Sequence, residues 1–410
     1  MNSEQHKGPS SFNSYQWVFY LLFIYSYLNI GVLVTRIFKQ SIPINIVIFV
    51  VAFGFIILRA PYKFYPKYSF WVYIFLFLFV LGGYIGPSAD YGYQSIQSIF
   101  KHWIVHLGLP WLALISVEKQ HFRFYLKTIL ILGAAGGVFS LIQIPFFSVF
   151  QIIIGSSTVR TAGFWFNPNN AAMMLLATLF LTGSFSSSKK ILVLILRVLI
   201  IVGIITSFSR TAIVLLFLGG VYYAFVMKRT KLIILTCVGG VVFSIGLAIN
   251  MSKFSEHQQK RITSLVQIAS NDEVDADNRS ALWIYASVAV LERGPIFGLG
   301  HTSMDHIVPL AARGLGPHNY FIWIWGNSGL MGLLGLFIYL IAMYIIAKGI
   351  RVRNIKAGAL IIVITIGGYD ILAHDIMSHQ MTGTLTAMLI LSIYHFREKN
   401  HLLEKKVKLK

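Results

Sequence analysis

Apolar runs long enough to cross a bilayer recur along most of the chain, separated mainly by short polar links. No other feature constrains the fold as tightly. A helix needs roughly 20 apolar residues to span the hydrocarbon core. Lipid offers the backbone no hydrogen-bond partner, so each run must satisfy its own amides as a helix. About twelve spans are expected, at residues 17–35, 42–58, 69–86, 102–117, 128–150, 169–183, 191–207, 211–227, 232–250, 320–347, 357–373 and 380–396. The fold class is therefore all-α, a polytopic membrane protein with residues 1–410 as a single integral membrane domain. Composition agrees: 12% of residues are charged, against about a quarter in soluble domains.

Net charge is +20, and its placement carries the topology. With the N-terminus inside, the cytoplasmic links hold Arg59, Lys63 and Lys67; Lys119, Arg123 and Lys127; Lys189 and Lys190; Lys228, Arg229 and Lys231; Lys348, Arg351, Arg353 and Lys356. The tail adds Arg397, Lys399, Lys405, Lys406, Lys408 and Lys410, and reads as a solvated flank near anionic lipid. The opposite short links offer only Arg36, Lys39, Lys101, Arg160 and Arg210. This is the positive-inside bias, with both termini cytoplasmic. No basic helix with interleaved aromatics points to nucleic acid. Cys237, the single cysteine, excludes an intrachain disulfide. Residues 1–16 are polar and lack the h-region and cleavage site of a removed peptide, so the first span reads as an uncleaved signal anchor.

One hydrophilic segment is large: 251–317, on the outer side, a helical loop within the membrane domain. Helical spacing is expected over Lys253 to Ile268 and again, as an amphipathic helix, over Ser280 to Leu291. Glu292-Arg293-Gly294-Pro295 ends the second helix, and Gly298-Leu299-Gly300 makes a turn. No internal repeat and no interrupted helix of the kind transporters use is evident in the sequence.

Three segments near the outer face break the apolar monotony: Arg160 through Asn170, Ser207 through Thr211, and Asp277 through Tyr320. Topology assigns all three to one side. Arginine there runs against the charge bias and is costly without a partner. Arg160 and Arg210 are therefore candidate phosphate ligands, because a guanidinium forms forked hydrogen bonds to phosphate oxygens. Snorkelling to headgroups is the competing reading. Arg279 stands beside Asp277, so an ion pair competes with ligand contact there. Arg197, inside a span near its cytoplasmic end, reads as a snorkeller. His318 opens a long apolar helix and titrates near neutrality, which suits a general base on a sugar hydroxyl. A simple helix-start hydrogen bond is the alternative. Asn319 and Tyr320 either orient an acceptor or cap the helix.

His102 and His106 share a helix face at the i, i+4 spacing that metal ligands use, but a clear third ligand is lacking, and packing or polar contacts are expected. His374, Asp375 and His379 occupy the last outer loop. Asp272, Glu273, Asp275 and Asp277 include an Asp-x-Asp, yet on a side where nucleotide-sugars are scarce. No metal site is expected.

The order Arg160-x-x-Gly163-x-x-x-Asn167-Pro168-Asn169, Ser209-Arg210-Thr211-Ala212, Arg279-x-x-x-Trp283, Pro295-Ile-Phe-Gly298-Leu-Gly300, His318-Asn319-Tyr320 and Gly329-Leu-Met-Gly332-Leu resembles the O-antigen ligase/polymerase superfamily of bacterial envelope enzymes. The likeness covers roughly residues 155–350; the first spans match in hydropathy alone. It implies a glycosyltransferase of the bacterial inner membrane, with a periplasmic active site and without metal, nucleotide or other cofactor. The glycan would pass from undecaprenyl diphosphate to a sugar hydroxyl. Arg160 and Arg210 would hold the diphosphate, with Arg279 assisting. His318 would be the catalytic base in an inverting single displacement, with Asn169, Asn319 and Tyr320 supporting. The implied partners are the undecaprenyl-diphosphate-linked glycan, membrane lipid, and an acceptor that is either the lipid A core or a second lipid-linked glycan. The first acceptor makes the enzyme an O-antigen ligase, towards which the motif set leans; the second makes it a surface-polysaccharide polymerase. A secondary transporter is the reading from another class.

Overall fold

The computed structural model describes residues 12–31, 44–60, 66–86, 93–146, 161–165, 167–185, 189–231, 279–301, 303–304, 319–370 and 380–396, with the isolated residues 34, 234, 249 and 259. Among them every regular element is helical. The first half contains α1 (Ser14–Tyr27), α2 (Ile44–Arg59), α3 (Pro66–Ile85), α4 (Tyr93–Trp103), α5 (Leu109–Ser116), α6 (Phe122–Gln143) and α7 (Pro168–Leu181). A single π turn, Ile104–Gly108, joins α4 to α5 without a break in the rod. The second half contains α8 (Lys190–Thr206), α9 (Arg210–Val226), α10 (Arg279–Arg293), α11 (Tyr320–Lys348), α12 (Arg353–Asp370) and α13 (Gln380–Phe396).

The outer surface of the bundle is apolar. Leu58 is 85% exposed, Ile191 76% and Leu194 62%. Such faces are a liability in water and the normal contact with lipid. Three stretches have full spanning length and hydropathy, Ser98–Ser116, Lys119–Gln143 and Tyr320–Lys348. Ile46–Arg59, Phe70–Ile85, Thr211–Val226 and Met381–Phe396 are apolar but shorter. The all-helical class therefore holds, while the described residues supply three full-length spans rather than twelve. One reason is α7, expected as a span over 169–183. It has 14 residues, and Ala171 through Ala177 are completely buried. A helix enclosed by other helices meets protein at every face. The expected span 232–250 lies almost wholly outside the described residues, as does the expected helix 253–268.

Contacts fix which helix ends lie together. Arg351 N–H donates to the Phe396 carbonyl (2.9 Å), and a ring nitrogen of His395 meets the Val117 carbonyl (3.1 Å). One end of the bundle thus gathers the ends of α5, α11 and α13. At the other end, the Gln143 side chain closing α6 bonds Ala162 and Gly163, which lead into α7. The short 182–189 and 207–209 links return the chain there at the start of α9.

The long helix α11 is interrupted. Gly329 takes φ 65°, ψ −164°, ten residues into the element. Interruption costs the following turn its amide acceptors, and the 295–299 strand of chain supplies them. Leu330 N–H donates to the Pro295 carbonyl (3.0 Å), Met331 N–H to the Ile296 carbonyl (3.3 Å), and Leu299 N–H to the Gly326 carbonyl (2.6 Å). The Trp325 indole also donates to the Pro295 carbonyl, at 3.0 Å. Close approach is possible because Gly298 and Gly329 lack Cβ atoms; one on Gly329 would stand 2.0 Å from the Ile296 oxygen. The interruption is a correction to the sequence reading, in which the run 320–347 is continuous. Hydropathy is blind to a break whose freed amides are satisfied from elsewhere in the chain.

Candidate functional site

The first segment is pinned before it becomes a helix. Gln143 accepts from Ala162 N–H (2.9 Å) and Gly163 N–H (3.1 Å), and donates to the Gly163 carbonyl (3.1 Å). Gly163 sits at φ 54°, the left-handed region that favours glycine. The Trp165 indole donates to the Tyr27 carbonyl at 2.7 Å. Asn167 then caps α7, accepting from Asn169 N–H at 2.8 Å, and Pro168 takes the first helical position, where its missing N–H costs nothing.

The second segment reaches the first. Ser207 and Ser209 are buried, and between them Phe208 adopts φ 46°, rare for a bulky residue. This tight turn starts α9 at Arg210. The Ser209 hydroxyl donates to the Asn169 side-chain carbonyl at 3.2 Å instead of capping its own helix. Asn169 and the residue preceding Arg210 are therefore neighbours, and the first turns of α7 and α9 lie side by side with their N-termini at the same end.

The third segment supplies two pieces. Helix α10 runs from Arg279 to Arg293, slightly longer than the expected 280–291, and Gly294 closes it. The Pro295–Gly300 turn is the part inserted into the α11 interruption. At the start of α11, Asn319 is a cap accepting from Ile322 N–H at 3.1 Å. Tyr320 is fully buried, and its hydroxyl meets Nε2 of His102 at 2.5 Å. His102 precedes the π turn on the rod that runs towards Val117, and α11 runs from Tyr320 towards Arg351, so the two are parallel. The α11 start therefore lies at the same end of the bundle as Gly163, Asn169 and Ser209.

Asn169, Asn319 and Tyr320 are thus described with their side chains. Helix starts alone are described for Arg210 and Arg279. Arg160, His318, His374, Asp375, His379 and the acidic run Asp272–Asp277 lie outside the described residues.

Three other sites differ from, or add to, the sequence reading. His102 and His106 engage Tyr320 and Tyr339, the latter at 3.3 Å, as the polar-contact reading expects. Arg197 does not snorkel: its Nη2 donates to the carbonyls of Thr182 (2.7 Å) and Phe185 (3.1 Å), beyond the C-terminus of α7. Helix ends present carbonyls without internal partners, and a guanidinium within an apolar bundle gains more from them than from distant headgroups. His301 was not singled out by sequence reading, although it follows the Gly298-Leu299-Gly300 turn directly. Its N–H donates to the Gly83 carbonyl (3.2 Å), and its ring packs edge-on to Phe79 (4.8 Å) and Tyr84 (5.5 Å). Burial pushes the imidazole down to about 4, against a smaller upward effect from its hydrogen bond to the Val80 backbone.

Beside this wall, Val80 and Tyr84 of α3 and Ile96, Ile99, Phe100 and Trp103 of α4 line an open apolar cavity of about 630 Å³.

The arrangement gathers helix N-termini, which carry partial positive charge, with polar side chains at one end of an apolar bundle. Residues 195–337 match the family model described as O-antigen ligase. The match covers 143 of the 410 residues, so this part of the chain is similar to the O-antigen ligase family. The O-antigen ligase match begins within α8, takes in α9, α10, the inserted turn and the interruption at Gly329, and contains Arg210, Arg279 and His318. Arg160, Asn169 and His102 lie upstream of it. The family supports a membrane enzyme of the O-antigen ligase/polymerase type. Comparison with curated proteins finds no match.

Proposed function

We propose that this protein is a metal-independent, inverting glycosyltransferase that moves a glycan from undecaprenyl diphosphate to a sugar hydroxyl at the outer face of the bacterial inner membrane. The O-antigen ligase match over Arg210, Arg279 and His318 carries the reading. Support comes from the Ser209–Asn169 hydrogen bond, which joins a second arginine-bearing motif to the turn before Arg210.

In this mechanism Arg160 and Arg210 grip the diphosphate, with Arg279 assisting. The acceptor hydroxyl attacks the anomeric carbon while His318 takes its proton. The bond from that carbon to the diphosphate oxygen breaks, and the leaving oxygen keeps the electron pair. Guanidinium groups and helix N-termini stabilise the charge that develops there. Such a leaving group is good without protonation, so the scarcity of outer carboxylates is no obstacle. In this reading α10 and the Pro295–Gly300 turn form part of the periplasmic wall of the acceptor cavity.

The lipid A core is the acceptor in our reading, making the protein an O-antigen ligase. A polymerase would instead extend one lipid-linked glycan with another through the same diphosphate site and base. A transporter reading loses ground at α11. The second half-helix there would point its N-terminus at an anionic cargo, but its first amides are taken by Pro295 and Ile296.

The test is reconstitution of the full chain with an undecaprenyl-diphosphate glycan and either acceptor. Arg210→Ala and His318→Ala are expected to lose product severely while inserting normally. Undiminished transfer by either would remove its assigned role. In cells, loss of a ligase leaves bare core and unattached polymer, whereas loss of a polymerase leaves core bearing one repeat.

A further inference from the structure

His102 lies upstream of the family match and 218 residues from Tyr320, yet it makes a 2.5 Å polar contact at the start of α11. Its Nδ1 is 2.8 Å from the Ser98 carbonyl. A carbonyl can only accept, so the Nδ1 hydrogen is committed there. A neutral imidazole held in that tautomer presents a lone pair at Nε2. The Tyr320 hydroxyl then donates to Nε2. Both side chains are fully buried. Trp323 stacks on both rings, 5.9 Å from His102 and 5.6 Å from Tyr320, and Phe79 covers His102 at 4.9 Å. The pair is therefore fixed in direction as well as in place.

We propose that His102 is a positioning residue for glycan transfer: through the Tyr320 hydroxyl it holds the first turn of α11 and hence the backbone next to His318. The inference rests on the catalytic role given to His318 above. Asn319, between them in sequence, spends its side chain on capping α11. Among the described residues of the His-Asn-Tyr motif, Tyr320 is therefore the one whose side chain anchors the turn to another helix. Without an acceptor at residue 102, the fully buried hydroxyl loses this hydrogen bond, and the first turn of α11 loses its tie to the His102 helix. Transfer is sensitive to shifts on the order of 1 Å at a reacting group.

The test uses the full-length protein in nanodiscs, with active-site concentration titrated so that turnover is per competent molecule. His102→Phe keeps ring and stacking but removes the acceptor. It is expected to lower kcat by about 10- to 100-fold with KM within about twofold. Tyr320→Phe should give the same loss, and the double variant should be no worse than either alone. His102→Gln, whose amide oxygen can accept, should recover most of the rate.

Normal kcat in His102→Phe, a His102→Gln as slow as His102→Phe, or additive losses would each overturn the proposal. If the wild type transfers no undecaprenyl-diphosphate glycan, the functional reading fails instead. Amide exchange over residues 319–324 then decides the anchoring by itself. Faster exchange in His102→Phe and Tyr320→Phe but not in His102→Gln upholds it; unchanged exchange in the phenylalanine variants ends it.

Discussion

Ser209 gives its hydroxyl hydrogen to the side-chain oxygen of Asn169, across the gap between α9 and α7. The bond makes the starts of two helices one rigid corner, and Arg210 is the next residue in the chain. Ser209→Ala removes the bond without disturbing the backbone. A part-buried hydrogen bond of this kind is worth about 1 kcal/mol, and an equal loss from transition-state stabilisation is about fivefold in kcat/KM for glycan transfer. Enzyme kinetics on the reconstituted variant measure it directly.

Gly298 and Gly329 predict a much larger effect. Both sit at positive φ, 75° and 65°. A Cβ on Gly298 would come within 2.5 Å of the Ser328 and Gly329 nitrogens. Alanine at either position adds an unfavourable backbone conformation to a collision with backbone that cannot turn aside, and a loss of about 3 kcal/mol or more is expected. Gly54 is the control: nothing lies within 4 Å of its Cβ position, and Gly54→Ala should be neutral or stabilising by up to about 1 kcal/mol. Thermal unfolding in detergent separates the two classes.

Arg197→Leu should destabilise by about 1–3 kcal/mol, because the Phe185 carbonyl loses the guanidinium donor and the Thr182 carbonyl keeps only the Phe185 N–H. Arg197→Met, which keeps a long apolar stem, should do no better, since the loss is of hydrogen bonds and not of packing. The same unfolding assay applies, and stability unchanged in both variants would count against this account.

Acid should weaken the protein through His301. Burial lowers its folded-state value to about 4, whereas an unfolded histidine titrates near 6.5. Between these values the unfolded chain binds a proton that the folded chain does not, so stability rises with pH across that window and falls as pH drops through it. Above about 6.5 this group contributes no slope. His301→Gln should flatten part of the dependence of Tm on pH between about 4 and 6.5. A variant with the wild-type slope would show that the imidazole is not what acid attacks.

Much of this architecture is readable from residue order because its causes are local. Apolar length fixes the membrane class, and the Glu292-Arg293-Gly294-Pro295 stop and the Gly298–Gly300 turn fall where backbone chemistry puts them. Other features have distant causes. The α11 break is stabilised by amide acceptors about 34 residues upstream, so nothing in the apolar run itself betrays it. His102 meets Tyr320 across most of the chain, and its i, i+4 spacing to His106 reports only a shared face. Arg197 looks like any arginine near a membrane surface until the end of α7 is placed beside it. Within the site, the motif order shows that three segments belong together. Which side chains merely build the corner, as Gln143 and Asn167 do, emerges only from their partners.

The insertion of residues 295–299 into α11 has a consequence for biosynthesis. Translation delivers this turn before the helix that receives it, and the helix cannot satisfy Leu330 and Met331 until the two meet. The turn must therefore wait while the ribosome completes some thirty further residues, and α11 can seat fully in the bilayer only by closing around it.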